Sequence, residues 1–156
     1  MSAVGEAEEG TPMRYFPAEM PRPTVTRDSA GFWDACRRHE LAIQRCADCG
    51  AFRHPPEPCC LSCRSFAFVW QPVSGRGRIF SFAVVHRPFL PALEPHVPFT
   101  VIVVTLDDAP GVRVVSNLVD AAPEEARIGL EVEVVWDDVD ADVTLPRFRP
   151  VANAEK

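Results

Sequence analysis

Two Cys-x2-Cys pairs, Cys46/Cys49 and Cys60/Cys63, stand ten residues apart in "RCADCGAFRHPPEPCCLSCRS". A pair at this spacing on a tight turn aims two thiolates at one point about 2.3 Å away, and two facing turns close a tetrahedron around a metal. Gly50 suits the turn after the first pair. The spacing therefore predicts Cys46, Cys49, Cys60 and Cys63 as ligands of one structural Zn2+. An iron site has the same ligands and stays open, as does a ribbon that has lost its metal. Cys59 adjoins Cys60; choosing Cys60 preserves the two-residue spacing and leaves Cys59 a neighbour. Four thiolates leave no coordination position for water, so such a site is a staple for a segment poor in apolar residues, not a source of chemistry.

The rest of the chain is ordinary in bulk. Its 156 residues are 47% hydrophobic, enough for one compact core. No apolar run reaches the ~18 residues that a membrane span requires. The N-terminal "MSAVGEAEEGTPM" has neither a basic nor an apolar signal region, so a cytoplasmic location without a membrane partner is the expectation. In that compartment cysteines serve as ligands or free thiols. Charge is uneven: residues 1–36 carry net −3, residues 37–87 net +5 and residues 88–156 net −8. The basic middle suits phosphates; the acidic C-terminal half repels a nucleic-acid backbone.

Residues 1–27, rich in Pro and Glu, read as a flexible arm. An amphipathic helix is expected over 28–41, capped by Asp28 or Ser29, with Phe32, Trp33, Cys36 and Leu41 on its apolar stripe. His39 and His54 read as surface residues. The cysteine segment, 42–70, follows. From 71 to 150 the period changes to two, and 151–156 is a tail. "RGRIFSFAVVH", "TVIVVTL", "VRVVSNLV", "LEVEVVW" and "DVTLPRF" read as five strands, with Pro146 ending the last or lying at an edge. Phe80, Phe82 and Val84 are placed on the inner face of the first. The expected core is Phe80, Phe82, Val103, Val114, Val132, Val134 and Trp136. Five short strands with brief connectors predict a mainly β protein, a small barrel or sandwich.

The sequence lacks a G-x-S-x-G elbow, a Walker loop and an H-E-x-x-H helix. "GRGR", Gly75 to Arg78, precedes a strand rather than a helix, which points to a bulge or a close backbone approach and away from a phosphate cradle. His86 and Arg87 end a strand and open the Pro-rich "HRPFLPALEPHVPF", a stiff loop suited to line a ligand channel or to cover a barrel mouth.

The order "FW", "LAIQRCADCG", "CLSC", "SGRGRIFSFAVVHRPF", "VPF", "VRVVSNLVD", "VEVVWDDV", "LPRFRP" resembles an acyl-CoA-associated family in which a rubredoxin-like zinc ribbon is fused to an OB-fold. The resemblance spans roughly Asp28 to Val151; Cys59 departs from its pattern. It implies an N-terminal helix, a ribbon and a five-stranded OB barrel. It also implies a non-catalytic accessory subunit in a hetero-oligomer with a thiolase-like or lipid-transfer-protein-like enzyme. That partner would be a thiolase or a retro-aldolase of acyl-CoA degradation, steroid side chains included. The OB barrel is implied to take part in CoA binding, and the ribbon and helix in protein contacts. The positions expected to hold the CoA ester are Arg76, Arg78, His86, Arg87, Phe89 and Phe99. Arginine forks suit its phosphates, and apolar rings suit pantetheine or adenine.

Two other readings stay open. Ribbons and OB-folds also form nucleic-acid-binding modules, which the acidic balance and the lack of a basic, aromatic-studded β face disfavour. A stand-alone CoA enzyme would need a catalytic set that no motif supplies.

Overall fold

The computed structural model describes residues 15–152. The expected arm residues 1–14 and the end of the expected tail, 153–156, lie outside the described residues. Helix α1 spans Ala30–Arg37. Strands β1 (Leu41–Cys46), β2 (Phe52–Arg53) and β3 (Phe68–Val73) form an antiparallel sheet in the order β2-β1-β3. Then β4 (Arg76–Val85), β5 (Phe99–Leu106), β6 (Arg113–Leu118), β7 (Glu131–Asp138) and β8 (Thr144–Pro150) close a barrel in the order β4-β5-β6-β8-β7. Its first, second, third, fifth and fourth strands are neighbours, and the third and fifth meet in parallel at Leu118↔Phe148. This is OB topology.

α1 is shorter than the expected 28–41. Glu40 N–H donates to Ala35 O and His39 N–H to Cys36 O, with His39 at φ 58°. This is a Schellman stop with histidine where glycine is usual, so the expected stripe member Leu41 opens β1 instead. The helix joins the two halves. Phe32 and Cys36 are buried in the shared core, and Gly31 lies so close on Trp70 of β3 that a Cβ there would sit 2.2 Å from the indole nitrogen. On the barrel side, His39 stacks on Trp136 at 5.5 Å and bonds Asp138 at 2.9 Å. The ribbon sheet reaches from Leu41 through Val73, and the barrel starts at Arg76.

All five expected barrel strands form, but the face of β5 and that of the first half of β4 are reversed. The inner residues of β4 are Gly77 and Ile79, and those of β5 are Thr100, Ile102, Val104 and Leu106. A register shift between Ile79 and Ser81 leaves Phe80 without a ladder partner. A bulge of this kind changes the phase of a strand. Phe80, next to inward Ile79, stands outward, 47% exposed, beneath the Arg113 guanidinium. Beyond the bulge Phe82 and Val84 pair with inner-face Ile102 and Thr100 as expected, but where β7 no longer pairs with β4, and Phe82 is 38% exposed. Val103 is half-buried on the outer face of β5. "FTVIVVTL" is apolar on both faces, so alternation alone cannot set its phase. Val114 and Val132 are core as expected, while Val134 and Trp136 pack half-buried at the core's edge. Pro146 neither ends β8 nor lies on an open edge. It pairs with Trp136 inside the barrel wall, where β6 makes no ladder bond to it, and its carbonyl accepts the Ser116 hydroxyl at 2.6 Å.

Candidate metal centre and ligand surfaces

The cysteine pairs sit on two turns of one shape. Gly50 N–H donates to Cys46 O, and Arg64 N–H donates to Cys60 O at the equivalent step of the second turn. Both residues are left-handed, at φ 76° and 63°. The Sγ atoms of Cys46, Cys49, Cys60 and Cys63 all lie within 4.8 Å of one another. Cys46–Cys63 and Cys49–Cys60 are each 3.6 Å apart. Tetrahedral ligands about 2.3 Å from zinc stand about 3.8 Å apart, so the thiols fit the ion and are too far apart for disulfides. Backbone N–H groups favour the thiolates: those of Cys63 and Ser62 hold Cys60 down at about 6, and that of Cys49 lowers Cys46. Against the lowering pull of the Ser65 N–H, the crowding sulfurs of Cys46, Cys49 and Cys60 hold Cys63 up at about 12. A divalent cation removes that conflict by making every sulfur a thiolate. Cys59 lies outside the cluster. Burial pushes the Cys36 thiol up to about 12, in keeping with its place in the core.

The loop between the pairs is tied to β1. Gln44, fully buried, accepts from Arg53 Nε at 2.7 Å and from Glu57 N–H at 2.9 Å. His54, expected at the surface, is half-buried with its ring 5.0 Å from Phe32. Its Nδ1 is sealed without a partner, and burial lowers its pKa.

The six expected CoA contacts do not form one cluster. Arg76 and Arg78 open β4 and pair across the barrel seam with Glu133 and Glu131. His86, Arg87 and Phe89 follow the far end of that strand, on the order of 30 Å away at about 3.3 Å per residue. Phe99, at the start of β5, is on their side. Phe89 and Phe99 line one cavity of about 260 Å3. The Pro-rich loop contains a 3-10 turn, Pro91–His96, anchored by buried Leu93.

Sequence reasoning missed the polar centre of this surface. Arg147 of β8 has a side chain only 13% exposed. Its Nε donates to the buried Asp137 at 3.1 Å, and its Nη1 to Asn117 at 2.7 Å. Burial pulls its pKa down, and Asp137 opposes that pull. The ring of Phe16 lies 4.9 Å over the guanidinium and meets Phe99 edge-on at 5.4 Å. In "DVTLPRFRP" nothing local distinguishes Arg147 from the exposed Arg149. Residues 15–27 contain no helix or strand and lie along the barrel, held by Tyr15 to Asp120 and Arg22 to Asp140.

A four-thiolate knuckle pair welded through one helix to a barrel of this topology defines a zinc-ribbon–OB-fold protein. Comparison with known families agrees. Residues 33–69 match "ChsH2, rubredoxin-like zinc ribbon domain" and residues 70–137 match "ChsH2, C-terminal OB-fold domain". The 3-oxo-4,17-pregnadiene-20-carboxyl-CoA hydratase alpha subunit of Mycobacterium tuberculosis is 42% identical over 78% of this chain and 38% of its own length. The chain therefore spans about two fifths of that relative. A DUF35 domain-containing scaffold protein of Methanocaldococcus jannaschii is 31% identical over 74% of this chain and 85% of its own. A solved chain of an Ltp2-ChsH2(DUF35) aldolase is 41% identical, with a TM-score of 0.76, over 84% of this chain and 100% of that one. The protein belongs to the ChsH2/DUF35 family. Among the described residues, no helix is long and apolar enough to cross a membrane.

Proposed function

We propose that this chain is an accessory subunit that docks on a thiolase-like enzyme of acyl-CoA degradation in the cytoplasm and contributes to binding of the CoA ester there. The observation that carries this reading is the full-length likeness to the DUF35 chain of an Ltp2-ChsH2 aldolase. The closed thiolate site supports it, because four cysteine ligands leave zinc no position for substrate or water. The hydratase likeness makes steroid-derived acyl groups one candidate class of substrate. His86, Arg87, Phe89 and Phe99 share one end of the barrel and are the proposed ester contacts. Arg76 and Arg78, spent on Glu133 and Glu131 at the other end, are proposed as surface charges instead.

The test is co-expression with a thiolase-like partner, followed by gel filtration and acyl-CoA turnover with and without this chain. Arg87→Ala and Phe89→Ala are expected to raise KM for the ester several-fold with kcat little changed, the signature of lost ground-state contacts. A partner fully active alone, with no complex on the column, overturns the accessory role.

A further inference from the structure

Residues 15–27 roof a trench. Along it lie a cavity of about 260 Å3 by Phe89, Phe99 and Val101 and another of about 380 Å3 by Trp33, His54 and Val115. Both are lined by Leu145 and Arg147, so the two share this stretch of β8. The roof is thin: Phe16, Met20 and Pro21 line the smaller cavity, and Thr24 and Thr26 the larger. The larger alone is in the range of small-molecule sites, about 300–1,000 Å3.

The polar chemistry of the trench is narrow. Nε and one Nη1 hydrogen of Arg147 are used by Asp137 and Asn117. Nη2 has no hydrogen-bond partner and is not sealed from solvent, so the fork keeps a donor free beside cavities that Arg147 lines. Asp137, 2% exposed, already balances the Arg147 charge. A second carboxylate would meet a pair that is already neutral and gain little attraction for the hydration it gives up. A carbonyl needs only the free donor.

We propose that the trench beneath residues 15–27 binds an extended, uncharged acyl chain, with Arg147 donating to its thioester or amide carbonyl and aliphatic carbon lying in the two flanking cavities. This rests on the acyl-ester reading above and assigns the acyl end of that ligand to the roofed wall of β6 and β8. Phe16, over the guanidinium, is the residue that shifts to admit it.

The experiment is calorimetric titration of the full zinc-loaded chain with S-octanoyl-N-acetylcysteamine, a neutral thioester, and separately with octanoate. Saturable binding of the thioester is expected, with octanoate at least tenfold weaker. Thr24→Trp and Val101→Trp fill one cavity each from the surface side. Each is expected to weaken thioester binding about tenfold, with circular dichroism and Tm unchanged. The paired change Arg147→Met with Asp137→Asn removes donor and counter-charge together, and should erase the preference for thioester over octanoate. If that pair does not fold, the two filling variants decide. No saturable binding below about 1 mM, equal binding of octanoate, or filling variants with wild-type affinity each overturn the proposal. A chain that forms the partner complex but fails these tests loses the trench and keeps the accessory role; one that binds the thioester but forms no complex does the reverse.

Discussion

Gly77→Ala isolates steric fit from backbone strain. A Cβ on Gly77 would lie 2.3 Å from the backbone oxygen of Thr105 and 2.7 Å from a methyl of Val104. The first of these is a neighbouring strand, not the end of a flexible side chain. Ordinary contact requires β4 to move off β5 by about 1 Å, at the point where Gly77 pairs with both Leu106 and Val132. Overpacking of this kind costs about 1–3 kcal/mol, more where backbone must yield, so about 3 kcal/mol is expected. At this chain length, 1 kcal/mol shifts Tm by about 2–4 °C, giving a fall of roughly 6–12 °C. Gly111→Ala is the matched control. Nothing lies within 4 Å of its Cβ, but its φ is +80°. Left-handed strain of about 1–2 kcal/mol, less the roughly 0.4–1 kcal/mol gained by stiffening the unfolded chain, leaves a fall of only a few degrees. Differential scanning calorimetry reads both. If Gly77→Ala is as mild as Gly111→Ala, the close approach of β4 to β5 is not what requires glycine.

Removing the metal with a strong chelator, or Cys49→Ser, is expected to unfold the ribbon, since structural zinc is worth roughly 10–16 kcal/mol in isolated peptides. Cys59→Ser should leave metal content and Tm unchanged, and metal analysis finding no zinc or iron on protein from replete medium refutes the site. His54 is neutral and half-buried in the fold, with a pKa below the ordinary 6.5. The unfolded chain therefore takes up a proton first as pH falls, and the wild type loses stability below about pH 6.5 at a slope approaching 1.4 kcal/mol per unit until the folded pKa is reached. His54→Phe should lose less between pH 7 and 5 in paired urea titrations; parallel curves exclude the linkage. Phe82→Ser should cost less because the ring is already 38% exposed, whereas Ile79→Ala should cost about 2–5 kcal/mol. Equal losses in thermal melts would return Phe82 to the core.

The metal site was legible because its information is local: two short spacings and a turn glycine fix four sulfurs. The strands were legible for the same reason, since each carries its own period of two. What failed is what depends on partners. The phase of β4 changes at a bulge that only the ladder to β5 reveals, so Ile79 and Phe82 share the inner register while Phe80 between them faces out. The helix stop at His39 carries no glycine, and its left-handed turn is held by Trp136 and Asp138 from almost a hundred residues away. Arg147 reads as one more charge in an acidic, arginine-spotted tail. Only the fold brings Asp137, Asn117 and Phe16 around it. Of the six expected ester contacts, Arg76 and Arg78 open β4 while His86, Arg87 and Phe89 follow its other end, because a strand separates its ends rather than joining them.

The metal and the trench are far apart in chemistry but share a wall. His54, Pro55 and Pro56 belong to the loop between the cysteine pairs, and they line the larger cavity opposite Val115 and Pro146 of the barrel. That loop has few apolar anchors of its own. It is held by Gln44 on β1 through Arg53 and Glu57, and β1 ends in the metal ligand Cys46. Helix α1 closes the same cavity with Phe32 and Trp33, and packs on both β1 and β8. A ribbon without metal would release one side of this cavity, and the barrel core, in which Leu41 and Ile43 of β1 join Ile102, Val104 and Phe148, would lose support on that side. If the trench holds the proposed acyl chain, zinc bound by the four cysteines would support that binding at a distance, by fixing the loop that carries one wall of the cavity.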